Sequence, residues 1–278
     1  MSIKRILLPI NDEHDITPVA DVAFALAEEF GAEVEGIFPQ QHDWQQYRLA
    51  TYGLSTNEIE KLDEKVKETA AAAAKRAEKA FKTQARHHRG VPIEFRAPQG
   101  RIADSIARHA YFADLTIIGN RANYGDNFWR LIGDCALFHS GRPVFVAPSR
   151  TIPKNLGTRI VIAWKDGTEA SRAVGAAIPF IERADEISLL VVGDDDESRQ
   201  SAENMEGYLS LHRPNATVDV VKSNGGRVGK LLIDKAAEKD GSILVMGAYS
   251  HLRWKERIFG GATEYVLHNT DMPVLMAH

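Results

Sequence analysis

Gly226-Arg-Val-Gly-Lys-Leu-Leu232, running on to Ser242-Ile-Leu-Val-Met-Gly247, repeats an earlier passage of the same chain, Gly100-Arg-Ile-Ala-Asp-Ser-Ile106 leading to Asp114-Leu-Thr-Ile-Ile-Gly119. Two more pairs flank it in the same order. Lys4-Arg-Ile-Leu-Leu-Pro-Ile10 answers Thr158-Arg-Ile-Val-Ile-Ala-Trp164, and Gly141-Arg-Pro-Val-Phe-Val146 answers Asp271-Met-Pro-Val-Leu-Met276. The offsets are 154 for the first pair, 126 to 128 for the second and 130 for the third. One such pair arises by chance, whereas three in one order read as a duplication. The large change in offset falls where the first half carries a long polar helix, roughly Thr56 to Arg86, and the second half a shorter one.

Between the copies lies Pro148-Ser-Arg-Thr-Ile-Pro-Lys-Asn-Leu-Gly157, with two prolines, a glycine and little apolar periodicity, which suits a linker. Two units are therefore expected, residues 1–149 and 157–278. In the second, Arg159–Trp164 is an apolar run closed by Lys165-Asp166-Gly167, the pattern of a strand buried on both faces. Thr168 is placed to cap a helix whose Ala170, Ala173, Val174, Ala177 and Ile178 recur at helical spacing. Strands are expected at Ile187–Val192, Val218–Val221, Ile243–Met246 and Pro273–Met276, and helices at Glu197–Leu211, Arg227–Glu238 and Gly261–His268. In the first half strands are expected near Arg5–Ile10, Glu33–Phe38, Ile93–Ala97, Leu115–Ile118 and Val144–Val146. Strands alternating with helices in this way imply two doubly wound α/β domains, each a five-stranded, mainly parallel sheet covered on both faces.

Bulk properties narrow the function. The chain has 278 residues, 44% hydrophobic and 26% charged, with a formal net charge of −4 and Lys and Arg spread along it. That pattern is globular and offers no nucleic-acid surface or anionic-membrane anchor. No apolar run approaches the ~20 residues of a membrane span, and the short apolar run after Lys4-Arg5 is too brief for a signal segment. A single cysteine, Cys135, permits no intrachain disulfide, and a cytoplasmic location is expected.

In open α/β sheets ligands bind beyond the C-terminal strand ends where strand order reverses. The fourth strand of the second half is followed by Gly247-Ala-Tyr-Ser250, a basic loop with Arg253, Lys255 and Arg257, and then Gly260-Gly261-Ala262-Thr263 opening a helix. Main-chain N–H groups at such a helix start form an anion seat. Here the sequence resembles the universal stress protein family in its tandem form, over nearly the whole chain. Nucleotide-binding members carry Gly-x2-Gly-x9-Gly-Ser/Thr at this place, followed shortly by another Ser/Thr. Gly247, Gly260 and Thr263 match, while Ser250 stands for the second glycine and Gly261 for the first Ser/Thr.

The resemblance implies a fold like that of the adenine-nucleotide α-hydrolases. It also implies ATP or a related adenine nucleotide as ligand, with Mg²⁺ arriving only alongside it. Asp166 would take the base or ribose end, Val192 and Met246 would line the apolar slot, and the amides of Gly260, Gly261 and Ala262 with the Thr263 hydroxyl would hold phosphates. The two halves would pair through Val144–Val146 and Val274–Met276 as an intramolecular pseudo-dimer. The first half departs further: Ala122 replaces a glycine, Gly133 arrives late and is followed by Asp134, and Asn11 stands where the strand-one Asp belongs. Its site is expected to be degenerate.

Plainer readings stand beside these. Gly260-Gly261 equally reads as a tight turn, and Ser250 either crowds a phosphate or donates to it. Cys135 and His139 share a helical face but lack the orienting third group a nucleophile needs. Asp194-Asp-Asp-Glu197 reads as an acidic helix cap and not a metal site, and His87-His88 lacks further ligands. Trp44, Tyr47 and Tyr52 suit either a lid or a cover for a sheet edge or partner. No P-loop, dinucleotide fingerprint or hydrolase elbow occurs. The expected function is a stress-response protein that binds or senses adenine nucleotide without fast catalysis. A ligand-independent interaction module with relic sites is the alternative of another class. A weak nucleotide hydrolase, for which no base is identifiable, is third. A homodimer of whole chains and an unknown protein partner stay open.

Overall fold

A computed structural model describes residues 2–41, 54–120, 126–149, 152, 155–222, 227–249 and 261–278. In the first half the apolar runs become β1 (Arg5–Pro9), β2 (Glu33–Ile37), β4 (Ile93–Arg96), β6 (Leu115–Ile118) and β7 (Val144–Val146). Helices α1 (Thr17–Phe30), α2 (Thr56–Ala85), α3 (Ile102–Ala110) and α4 (Asp126–Phe138) connect them. In the second half come β8 (Arg159–Trp164), α5 (Thr168–Ile181), β9 (Glu186–Val192), α6 (Asp196–Ser210), β10 (Thr217–Val221), α7 (Val228–Glu238), β11 (Ile243–Gly247), α8 (Ala262–Asn269) and β12 (Val274–Ala277).

All ten strands join one sheet in the order β10-β9-β8-β11-β12-β7-β6-β1-β2-β4. Each half contributes the same parallel sequence, third-second-first-fourth-fifth, and the two meet at their last strands. There β12 and β7 run antiparallel with Val274 opposite Val146, Leu275 opposite Phe145 and Met276 opposite Val144. These six side chains are buried. The pairing removes two apolar edges that would otherwise invite aggregation. The expected α/β architecture and the junction through Val144–Val146 and Val274–Met276 are what the structure shows.

Each face of the sheet carries a large apolar layer, and Leu7, Ile37, Ala110 and Ala113 form a small cluster of their own. One is built from α1, α2, α5 and α6 with Phe24, Phe81, Phe145, Phe180 and Met205. The other is built from α3, α4, α7 and α8 with Ile106, Ile132, Leu232 and Val266. Both layers cross the junction, so each half helps bury the other.

Local signals explain the ends of elements. A capping box holds the start of α2, with Ser55 and Glu58 satisfying each other's N–H groups. Gly31 closes α1 in the left-handed conformation, φ 62°. Only Ala74, Ala77 and Phe81 of α2 are fully buried, which is why the rest of this long helix tolerates charge. Asp195 caps α6 by accepting the Ser198 N–H at 2.7 Å, and that bond holds its carboxyl below the usual range. The acidic run at 194–197 is thus a helix cap, and no group of three metal-ligating side chains occurs among the described residues.

Four details differ from the sequence reading. The cap of α5 is Gly167, with Thr168 already inside the helix and making no cap bond. A two-stranded ribbon, β3 (Gln40–Gln41) with β5 (Gln99–Gly100), was not expected. Glutamine and glycine carry no strand signal, and the ribbon is set by the two chain segments leaving adjacent strands. Gly133 and Asp134 lie well inside α4 and not in a loop before it. Helix α7 begins at Val228, with Arg227 as its cap. Trp44, Tyr47, Tyr52, Gly225, Gly226, Ser250, Arg253, Lys255, Arg257 and Gly260 lie outside the described residues.

Candidate functional site

Strand order reverses in the second half between β8, which the chain leaves toward β9, and β11, which it reaches from the other side. These two strands pair directly, Met246 lying opposite Ala163. The loop after β8 and the loop after β11 therefore leave the sheet side by side, at the place where doubly wound sheets hold ligands.

On the β8 side, Asp166 is exposed in the turn before α5. Its Oδ1 accepts the hydroxyl proton of Ser201 on α6. Ser201 is itself buried and accepts the Trp164 indole N–H at 2.8 Å. An indole N–H only donates, so the single Ser201 proton is committed to Asp166. The second Asp166 oxygen takes no hydrogen bond from the described residues. Val192 is half-buried at the end of β9 and Met246 is buried. Both pack in the layer that also takes in Tyr249 and Ala262.

On the β11 side, a Cβ on Gly247 would sit 2.6 Å from the Ala170 backbone nitrogen and 2.9 Å from the Glu169 carbonyl carbon. The glycine is needed for the close approach of β11 to the start of α5, whatever binds nearby. After it Tyr249 adopts φ 54°, the left-handed region rare for a bulky side chain. Its N–H donates to the Thr263 hydroxyl oxygen at 3.3 Å and its phenol to Glu264 Oε2 at 3.0 Å. Burial, reinforced by the Glu264 charge, pushes the Tyr249 phenol well up, so it remains a donor at working pH. The Tyr249 ring lies 5.3 Å from that of Phe138 on α4, so the first half supports this loop.

Gly261 forms the start of α8 in extended conformation without a side-chain cap. A Cβ there would meet no described residue within 4 Å. Ala262 is half-buried and Thr263 is buried. The structure thus brings Val192, Met246, Ala262 and Thr263 to one end of the sheet, with Asp166 across the β8–β11 junction. Ser250 and Gly260 lie outside the described residues. Glu264, in the first turn of α8, was missed by the sequence reading. It occupies the place that Asp134 holds in the first half, at the offset of 130 set by the last strands. A carboxylate here is common to both halves, so Asp134 does not distinguish them. Ser201 and Trp164 were missed too. Ser201 reaches Asp166 from 35 residues away, and no local pattern announces that contact.

At the corresponding place in the first half, Asn11 is buried and spends its Oδ1 on the Glu13 N–H at 2.7 Å, a local turn. Gly133 opens no helix start. Cys135 is buried, and burial pushes its thiol up to about 11, while His139 is exposed. That is a packing cysteine, not a nucleophile.

A doubly wound sheet with paired loops at its reversal point defines an α/β class that hosts many functions. Residues 158–278 match the model of the universal stress protein family, and this half of the chain belongs to that family. No curated protein matches the chain. Among solved structures, a universal stress protein from Archaeoglobus fulgidus is similar with a TM-score of 0.70 at 18% identity, covering 99% of this chain and 96% of its own. A protein of unknown function from Pseudomonas aeruginosa PAO1 is similar with a TM-score of 0.62 at 13% identity, covering 98% and 92%. At these identities the likeness establishes the fold across both halves. No helix among the described residues is long and apolar enough to cross a membrane.

Proposed function

We propose that the chain is a cytoplasmic stress-response protein built of two universal-stress-protein-like domains, 1–149 and 157–278, and that the second binds an adenine nucleotide without fast turnover. The observation that carries this reading is the pairing of β8 with β11 at the reversal of strand order. With it the loop carrying the Asp166 carboxyl and the loop leading to the start of α8 at Gly261 leave adjacent strands. In this reading Asp166 accepts from the base or ribose, Val192 and Met246 wall the apolar end, and the amides at Gly260, Gly261 and Ala262 meet the phosphates, with Thr263 and Ser250 beside them. No described residue comes within 4 Å of a Cβ built on Gly261; Mg²⁺, where present, would arrive on the nucleotide. The local turn at Asn11 supports a degenerate first site.

Titration calorimetry with ATP on the whole chain tests the proposal. Saturable heat that disappears in Gly261→Glu is expected; no heat together with no thermal shift would remove it. A ligand-independent interaction module is the second reading. It is favoured by the packing reason for Gly247 and by the Thr263 oxygen being already engaged by Tyr249. Under it, Gly261→Glu alters stability alone.

A further inference from the structure

The Trp164–Ser201–Asp166 relay has a directed geometry that a solvent-exposed aspartate does not need for its own sake. Asp166 stands in the turn between β8 and α5, whereas Ser201 belongs to α6 on the neighbouring crossover. A free aspartate in such a turn samples several rotamers and bonds water from both oxygens. Here the indole of Trp164 is half-buried against the α5–α6 layer and fixes the Ser201 oxygen as an acceptor. Ser201 answers by donating to one Asp166 oxygen, and the other takes no hydrogen bond from the described residues. Gly193, just past β9, completes the arrangement, because a Cβ there would stand 2.1 Å from the Ser198 hydroxyl and 2.8 Å from the Ser198 Cβ, one turn earlier on α6. The close approach of α6 to the strand ends is therefore built in, and Ser201 is held where it reaches Asp166.

We propose that Ser201, with Trp164 behind it, is a positioning residue that presents one carboxylate oxygen of Asp166 as a fixed acceptor for an O–H or N–H donor of the bound nucleoside. The inference rests on the nucleotide reading above and deepens it: the group recognised is a neutral donor, the ribose hydroxyl or the base amine, and not a phosphate. A fixed acceptor loses less orientational freedom when the ligand arrives, so affinity is gained without a new contact. Ser201 never touches the ligand in this account; its effect passes wholly through Asp166.

The experiment is a double-mutant cycle on the whole chain, with ATP binding measured calorimetrically for wild type, Ser201→Ala, Asp166→Asn and the double variant. Ser201→Ala is expected to weaken ATP by roughly five-fold, the order of one net hydrogen bond. In the Asp166→Asn background the same change is expected to have almost no further effect. Ser201→Thr keeps the hydroxyl and should restore most of the affinity, with each variant's folding checked by thermal unfolding. Equal losses in both backgrounds, or an unchanged affinity in Ser201→Ala, overturn the positioning role while the nucleotide reading stands. Failure of the wild type to bind ATP removes both.

Discussion

Replacing Gly247 by alanine separates two reasons for a glycine at the end of β11. A Cβ there would stand 2.6 Å from the Ala170 nitrogen, 2.9 Å from the Glu169 carbonyl carbon and 3.0 Å from the Ala170 Cα. Comfortable separation for such atoms begins near ~3.5 Å, and all three belong to the backbone of α5, so no side chain can swing away. Relief requires shifting the first turn of α5 against a strand that also pairs with β8 and β12. Overpacking of this kind costs about 1–3 kcal/mol, and the backbone contacts place Gly247→Ala at the upper end, about 3 kcal/mol. For a chain of this size that is a fall in melting temperature of roughly 6 °C or more. Urea unfolding followed by far-ultraviolet circular dichroism measures it, with Gly261→Ala as a control, because a methyl there meets no described residue within 4 Å. The control is expected to stay within about 1 kcal/mol of wild type, reflecting only a helix-cap preference. A Gly247→Ala variant as stable as wild type would refute the packing argument. It would leave close ligand approach as the reason for the glycine.

Gly207 lies exposed inside α6 with nothing within 4 Å of a built Cβ; Gly207→Ala is expected to stabilise by about 0.5–1 kcal/mol in the same urea assay. Phe145, fully buried on β7 at the junction of the halves, should lose about 3–5 kcal/mol on change to alanine. Because the apolar layers span both halves, unfolding of that variant is expected to remain one transition by fluorescence and circular dichroism alike. Cys135 has its thiol raised to about 11 by burial, so the folded form binds this proton more tightly than the unfolded form. Its contribution to stability is complete below the ordinary thiol range and is lost as pH climbs toward 11. Alkylation at pH 8.5 should be slow in the native protein and fast in urea, and a fast native reaction would contradict the burial.

The architecture was legible because duplication and strand pattern are carried by local residues. Arg159–Trp164, Ile243–Met246 and their first-half counterparts announced parallel strands by apolar runs alone, and the last strands could be named as the junction from their apolar character and the family likeness. The ribbon Gln40–Gln41 with Gln99–Gly100 was invisible, since its pairing follows from where neighbouring strands end. Thr168 looked like a cap by type, but Gly167 occupies that position. At the candidate site Asp166 could be picked out by its place after a strand. Ser201, Trp164 and Tyr249 could not, because their roles depend on contacts between segments far apart in sequence. Gly247 was legible as important, yet its packing against α5 came only with the structure.

The second half is proposed to hold a single adenine-nucleotide seat and the first half a relic of one. Native mass spectrometry of the intact chain across an ATP titration counts that seat directly. One nucleotide per chain, lost in Asp166→Asn combined with Gly261→Glu, is the predicted result; two per chain, or none at saturating ATP, would contradict it.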